Sequence, residues 1–131
     1  GNPVAAAAGL KTMEILRRTG QYDQLCSLGR RVMDMQSSAL DKHGIAHRVC
    51  GDPTLFDLYF TSRDVLDYRS AKHTNPQDNT VWNASLRESG FFKSAGKLSP
   101  SLALSEADLE QTADAGMRAA EALAEHRAHA A

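Results

Sequence analysis

The sequence predicts an α+β domain, an antiparallel sheet covered by helices in the order ααββααββα. Two observations predict it. Apolar residues recur every three or four positions as far as Ala39, then alternate every second position from Ile45 to Phe60, and return to helical spacing further on. Glycine, proline and asparagine punctuate the places where the period changes, at Gly20, Gly44, Gly51-Asp52-Pro53, Asn75-Pro76 and Gly90. A length of 131 residues with 42% hydrophobic and 24% charged side chains fits one globular domain spanning residues 1–131.

Asn2-Pro3 is a helix start, because asparagine caps free N–H groups and proline at the first helical position gives up only an orphan donor. Leu10, Met13 and Leu16 lie near one face, and Gly20 is expected to stop the helix. A second helix is expected from residue 21 or 22 to 43, with Leu25, Leu28, Val32, Met35 and Ala39 as its apolar stripe. Ile45, His47 and Val49 then alternate with Ala46, Arg48 and Cys50 as in a half-buried strand. After the Gly51-Asp52-Pro53 break, Phe56, Leu58 and Phe60 face one way while Leu55, Asp57 and Tyr59 face the other. So close in sequence, the two runs pair most simply as antiparallel neighbours.

Ser62 or Asp64 is expected to cap a short helix reaching residue 72 and carrying Val65, Leu66 and Tyr68. Residues 73–78 read as a loop around Asn75-Pro76, followed by a helix over 79–89 that presents Trp82 and Leu86. Short strands are expected at 91–93 and 98–104, separated by Ser94-Ala95-Gly96, with Pro100 marking the second as irregular or at an edge. Ser105 and Asp108 resemble a capping box for a last helix that buries Leu109, Thr112 or Ala113, Gly116, Ala120 and Leu123 and frays after His126.

Fifteen Lys and Arg balance sixteen Asp and Glu, a net charge of −1 that offers no electrostatic footprint for nucleic acid or an anionic membrane. No apolar run approaches the roughly 20 residues needed to span a bilayer, and no basic region precedes the run from Val4 to Leu10, as a signal peptide would require. Two cysteines, Cys26 and Cys50, are too few for a secreted disulfide scaffold, which points to a reducing cytoplasm.

No catalytic machine stands out from the spacing of residues. His47 and Cys50 are three apart on an expected strand, which sends their side chains to opposite faces and disfavours a thiol–imidazole nucleophile. Cys26 borders the apolar stripe and reads as a packed side chain. His43 and His47 are separated by Gly44 and a change of period, and His126 and His129 lack a third ligand, so no metal site is expected. Asp64, Asp67, Glu106, Asp108 and Glu110 read as solvated helix faces, and Gly90 and Gly96 do not belong to a phosphate-binding loop.

Four ordered segments nevertheless resemble one family. Gly1-Asn2-Pro3-Val4-Ala5 with Ala8-Gly9-Leu10 resembles a GNPxAxAAG helix start. Gly51-Asp52-Pro53-Thr54-Leu55-Phe56 with Tyr59-Phe60-Thr61 is similar to GSMFxLFFT, with Asp-Pro in place of Ser-Met. Leu86-Arg87-Glu88-Ser89-Gly90-Phe91-Phe92 resembles an LxxRGVY helix-to-strand step, and the segment from Leu102 to Leu109 resembles SLAHTEEDI, with Leu-Ser replacing His-Thr. Together they resemble the C-terminal part of class III, fold-type I pyridoxal-phosphate aminotransferases, in the branch of glutamate-1-semialdehyde aminomutase and ω- or β-amino-acid transaminases.

The resemblance implies the small C-terminal domain of an enzyme that transfers amino groups between amino acids or amines and oxo compounds. In the family the aldimine lysine, the aspartate at the pyridine nitrogen and the residues around the cofactor belong to a large domain upstream. Lys11, Lys42, Lys72, Lys93 and Lys97 are the lysines here, and none lies in a segment like the family's aldimine segment. The expectation is therefore a fragment of a longer enzyme, with pyridoxal phosphate in the parent and none on this chain alone. No catalytic or cofactor-binding residue is expected in it. Its partners would be the missing large domain, a second copy in a homodimer when complete, and an amino acid or amine substrate. Lys97 stands where many relatives carry an arginine near the active-site entrance, which implies that it approaches a substrate carboxylate or tunes the pocket in a complete enzyme, the alternative being a solvated turn lysine. The competing expectations are a free-standing, non-catalytic α+β binding or dimerisation module and, further off, a small hydrolase using Cys50 or the histidines.

Overall fold

The structure is a computed structural model that describes residues 1–94 and 96–130. Its order is α1 (Pro3–Leu16), α2 (Gln21–Lys42), β1 (Arg48–Asp52), β2 (Leu55–Tyr59), α3 (Tyr68–Ala71), α4 (Pro76–Glu88) and α5 (Glu106–Ala130). The α+β class holds, with one two-stranded antiparallel sheet among the described residues. Val49 pairs with Leu58 and Gly51 with Phe56, so the register sends Phe56, Leu58 and the following Phe60 into the core as the alternation requires.

The long α5 is the element against which both α2 and α4 pack. Its buried face is built of Leu109, Thr112, Ala115, Gly116, Ala119, Ala120 and Leu123, and the run of small residues lets neighbouring helices approach closely. Ala39, Leu40, Leu58, Phe60, Trp82, Leu86 and Leu123 fill one cluster, with the Phe60 and Trp82 rings edge to face at 5.8 Å. Leu28, Val32, Phe56, Leu98 and Leu109 fill a second, beneath the hairpin. The stripe expected on α2 is there, with Met35 only partly buried, and Gly44 at φ +64° ends the helix as a left-handed cap. The turn between the strands lies directly on α2, because Gly29 has no side chain to hold it away from Pro53.

Several expectations are corrected. α1 ends at Leu16 rather than Gly20, since the backbone closes on Met13 and Ile15 through Arg17 and Arg18 to turn into α2, and none of its residues is buried. The first strand starts at Arg48, because the Ile45 N–H is already committed to the Leu40 carbonyl of the helix end. The helix expected to reach residue 72 is only the short α3, because Asp67 and Ser70 form a capping box that starts it late and leaves Leu66 and Tyr68 exposed. Asn75-Pro76 is not a loop but the start of α4, with Asn75 Oδ1 accepting from the Gln77 N–H at 3.0 Å.

The strands expected at 91–93 and 98–104 reduce, among the described residues, to isolated pairings of Phe56 with Leu98 and of Ser94 with Lys97. Pro100 supplies no N–H to extend the ladder beyond Leu98. Ala95 of the expected separator lies outside the described residues. The Ser105–Asp108 capping box forms in both directions, and α5 continues to Ala130 instead of fraying after His126, its last turns held to α4 by Arg127 donating to Asp78 at 2.7 Å. No helix among the described residues is long and apolar enough to cross a membrane.

Candidate functional site

The segment between α4 and α5 crosses the open edge of the hairpin and forms a cleft of about 360 Å³ with α2 and α5. Backbone bonds fix its course: the Phe56 N–H donates to Leu98 O at 3.1 Å and the Leu98 N–H returns to Phe56 O at 2.7 Å. Beside this bridge Ser94 pairs with Lys97, and the Ser94 hydroxyl donates to Lys97 O at 3.0 Å. Phe91, Lys93, Lys97, Pro100 and Val32 line the cleft, and Phe92 stands at its rim, 89% exposed.

The two lysines of the cleft differ sharply. Lys97 is exposed, and no carboxylate pairs with it among the described residues. Lys93 is enclosed: its Nζ lies 3.2 Å from Asp57 Oδ1 and 3.2 Å from Ser94 O, with the Lys93 and Asp57 side chains 3% and 11% exposed. Sequence reasoning missed this pair. The signal was Asp57 itself, an acid on the strand face opposite Phe56 and Leu58, where an aliphatic residue would be unremarkable and a charge requires a partner.

The other candidates are dispersed. His47 sits with Nε2 2.6 Å from the Ser37 hydroxyl and Nδ1 2.9 Å from Ile45 O, so both ring nitrogens are engaged. Cys50 turns toward Val65 O at 3.9 Å, and burial pushes its thiol up despite nearby Arg48, which works against a reactive thiolate. Cys26 is a half-buried free thiol on α2. His43 ends α2, while His126 and His129 lie on the last turns of α5, where His129 Nδ1 bonds Glu125 O at 2.7 Å. No three His, Cys, Asp or Glu side chains gather in a metal-binding geometry among the described residues.

The expected solvated acids have structural work of a local kind. Asp67 caps α3 and Asp108 completes the capping box that Ser105 begins at α5, and their serine partners hold both carboxyls below the usual range. Glu106 is likewise lowered by the Arg31 guanidinium, which donates to both of its oxygens at 2.8 and 2.6 Å. Asp64 faces Arg48 at 3.4 Å, and Glu110 is exposed on α5.

No protein-family model matches the chain. It is 33% identical over 118 residues to the glutamate-1-semialdehyde 2,1-aminomutase of Methanopyrus kandleri, a match covering 88% of this chain and 27% of that protein. The chain thus spans about a quarter of the length of the curated relatives it matches. Among solved structures, an ω-transaminase from Sphaerobacter thermophilus superposes with a TM-score of 0.78 at 25% identity, over 94% of this chain and 28% of that one. The FumI protein of Sphingopyxis sp. MTA144, solved in its PLP internal aldimine form, shares the fold with a TM-score of 0.74 at 20% identity, over 93% and 27% of the two chains.

Proposed function

We propose, from the premise that this chain is related to glutamate-1-semialdehyde 2,1-aminomutases and has the fold of a small domain of fold-type I aminotransferases, that its 131 residues are the C-terminal domain of a class III pyridoxal-phosphate-dependent aminotransferase or aminomutase. The observation that carries this reading is sequence identity sustained across nearly the whole chain, not confined to one motif. A second feature supports it. α1 exposes Val4, Leu10 and Met13 at 75%, 74% and 50% and buries nothing, as suits a helix whose apolar side is covered by the remainder of a larger enzyme.

The residues of this chain do not by themselves fit pyridoxal phosphate. The cofactor needs a lysine amine free to react and donors converging on its phosphate. Lys93 is committed to Asp57 and Ser94, Lys11 pairs with Glu14 at 2.9 Å, Lys72 lies over the Tyr68 ring, and Lys42 and Lys97, although exposed, lie in no segment like the family's aldimine segment. The chemistry therefore rests with polypeptide beyond this domain, and the domain alone neither holds the cofactor nor transfers amino groups. Its own contribution is a wall of the substrate entrance. Lys97 offers a flexible ammonium to a substrate carboxylate, and the apolar lining from Val32, Phe91 and Pro100 excludes water behind it.

The test compares a longer protein containing this segment with the 131-residue chain, each incubated with pyridoxal phosphate and a panel of acidic and neutral amino donors. The longer protein is expected to acquire cofactor absorbance and transfer amino groups, while the short chain does neither. Amino transfer by the short chain, or no cofactor on the longer one, refutes the reading, and the second result returns the chain to a binding or dimerisation module. Lys97→Ala in the active protein is expected to lower kcat/KM by about fivefold. An unchanged kcat/KM across all donors removes Lys97 from the substrate path.

A further inference from the structure

The charge of the cleft is set from outside it. Of its two lysines, Lys93 is neutralised by Asp57, a residue of β2 that does not line the cleft. Its other described polar side chains, Ser94, Ser99, Ser101 and Thr112, carry no charge. Among the described lining residues, one uncompensated positive charge remains, on Lys97. The same pair also steadies the segment that carries Lys97. Lys93 is tied to the strand by Asp57, Leu98 is tied to the adjacent Phe56, and Lys97, bonded to the Ser94 hydroxyl, stands between these two anchors.

We propose that Asp57 is a specificity-determining positioning residue which, by neutralising Lys93, makes the cleft a subsite for a single carboxylate, so that the ligand presents a monoanionic carboxylate group there and not two. This rests on the reading of Lys97 as the substrate-facing cation. Without Asp57, two ammonium groups would face one small cleft. A monocarboxylate would leave one of them unpaired and poorly solvated, whereas a dicarboxylate would satisfy both.

The experiment titrates the 131-residue protein with acetate and with succinate, following the backbone amides of Leu98 and Ser99 by NMR. Wild type is expected to bind the two anions with Kd values within about twofold of each other. Asp57→Asn shifts the ratio toward succinate by about fivefold, and Asp57→Asn/Lys93→Met returns it to the wild-type value. An unchanged ratio in the single variant, or a shifted ratio in the double variant, overturns the proposal.

Should the unpaired Lys93 prevent Asp57→Asn from folding, Ser99→Lys adds a second cation to the exposed rim without touching the buried pair. It must then produce the same shift toward succinate, and failure to do so is equally fatal. Lys97→Met is expected to abolish binding of both anions. Because these readings need no enzyme activity, a longer protein that fails to transfer amino groups refutes the functional reading separately, with the charge count of the cleft still decided by the titration.

Discussion

Replacing Gly29 by alanine puts a methyl group where the turn of the hairpin already lies. A Cβ built on this glycine overlaps the Pro53 carbonyl oxygen and falls 2.6 Å from the carbonyl carbon and 3.1 Å from Pro53 Cα, against the 3.4 Å at which ordinary contact begins. The obstacle is backbone, with no rotamer to escape into, so the turn must withdraw from α2 by about 1 Å or more. Two effects compete. Alanine in a helix interior gains about 1 kcal/mol over glycine, while forcing apart a packed contact costs about 1–3 kcal/mol and more where backbone moves.

Steric cost wins here, and a net loss of about 2 kcal/mol is expected, a fall in Tm of about 8 °C for a chain of this size. Gly9→Ala is the matched control, because a Cβ on Gly9 in α1 meets nothing within 4 Å and should be neutral or gain up to about 1 kcal/mol. Urea unfolding, followed by the fluorescence of the buried Trp82, measures both. Faster hydrogen exchange at the Leu98 N–H, which donates to Phe56 O across the cleft wall, would register the displaced hairpin. If Gly29→Ala proves as stable as wild type, the close approach of turn and helix is refuted.

Asn75→Ala is expected to cost about 1 kcal/mol by urea unfolding, through loss of the cap on the Gln77 N–H, and no loss would argue that α4 starts beyond Pro76. The Asp108 carboxyl lies below its ordinary 3.8 in the folded chain because the Ser105 hydroxyl and N–H donate to it. A depressed pKa gives stability that is present above 3.8 and is lost as pH falls through the folded value. Asp108→Asn should therefore lower the urea midpoint at about pH 6 and flatten its decline toward about pH 3, whereas an unaltered decline would exclude this carboxyl as a contributor.

The legible parts of the fold were those with a local physical cause. The α2 stripe, the antiparallel hairpin with Phe56, Leu58 and Phe60 inward, and the Ser105–Asp108 cap each depend on residues a few positions apart. Asn75-Pro76 carried the same start signal as Asn2-Pro3, yet read as a loop because the apolar pattern of α4 begins only at Val81 and Trp82. The segment after Gly90 offered alternating apolar residues but not their neighbours, and a strand exists only where an edge is available to pair with it. Of the cleft, Lys97 was legible by resemblance, whereas Lys93 was a surface lysine until the hairpin came under it.

By itself the sequence determined the class of the domain, the helices and hairpin that compose it, and the kinship carried by its ordered motifs, since periodicity, caps and turns act over a few residues. Only the tertiary structure decided that Asp57 neutralises Lys93 over a sequence separation of 36, that Arg127 holds the end of α5 to Asp78, and that α1 has no buried face of its own. Burial and charge pairing depend on which surfaces meet in space. A chain read one residue after another records the charges, and the fold settles which of them remain uncompensated.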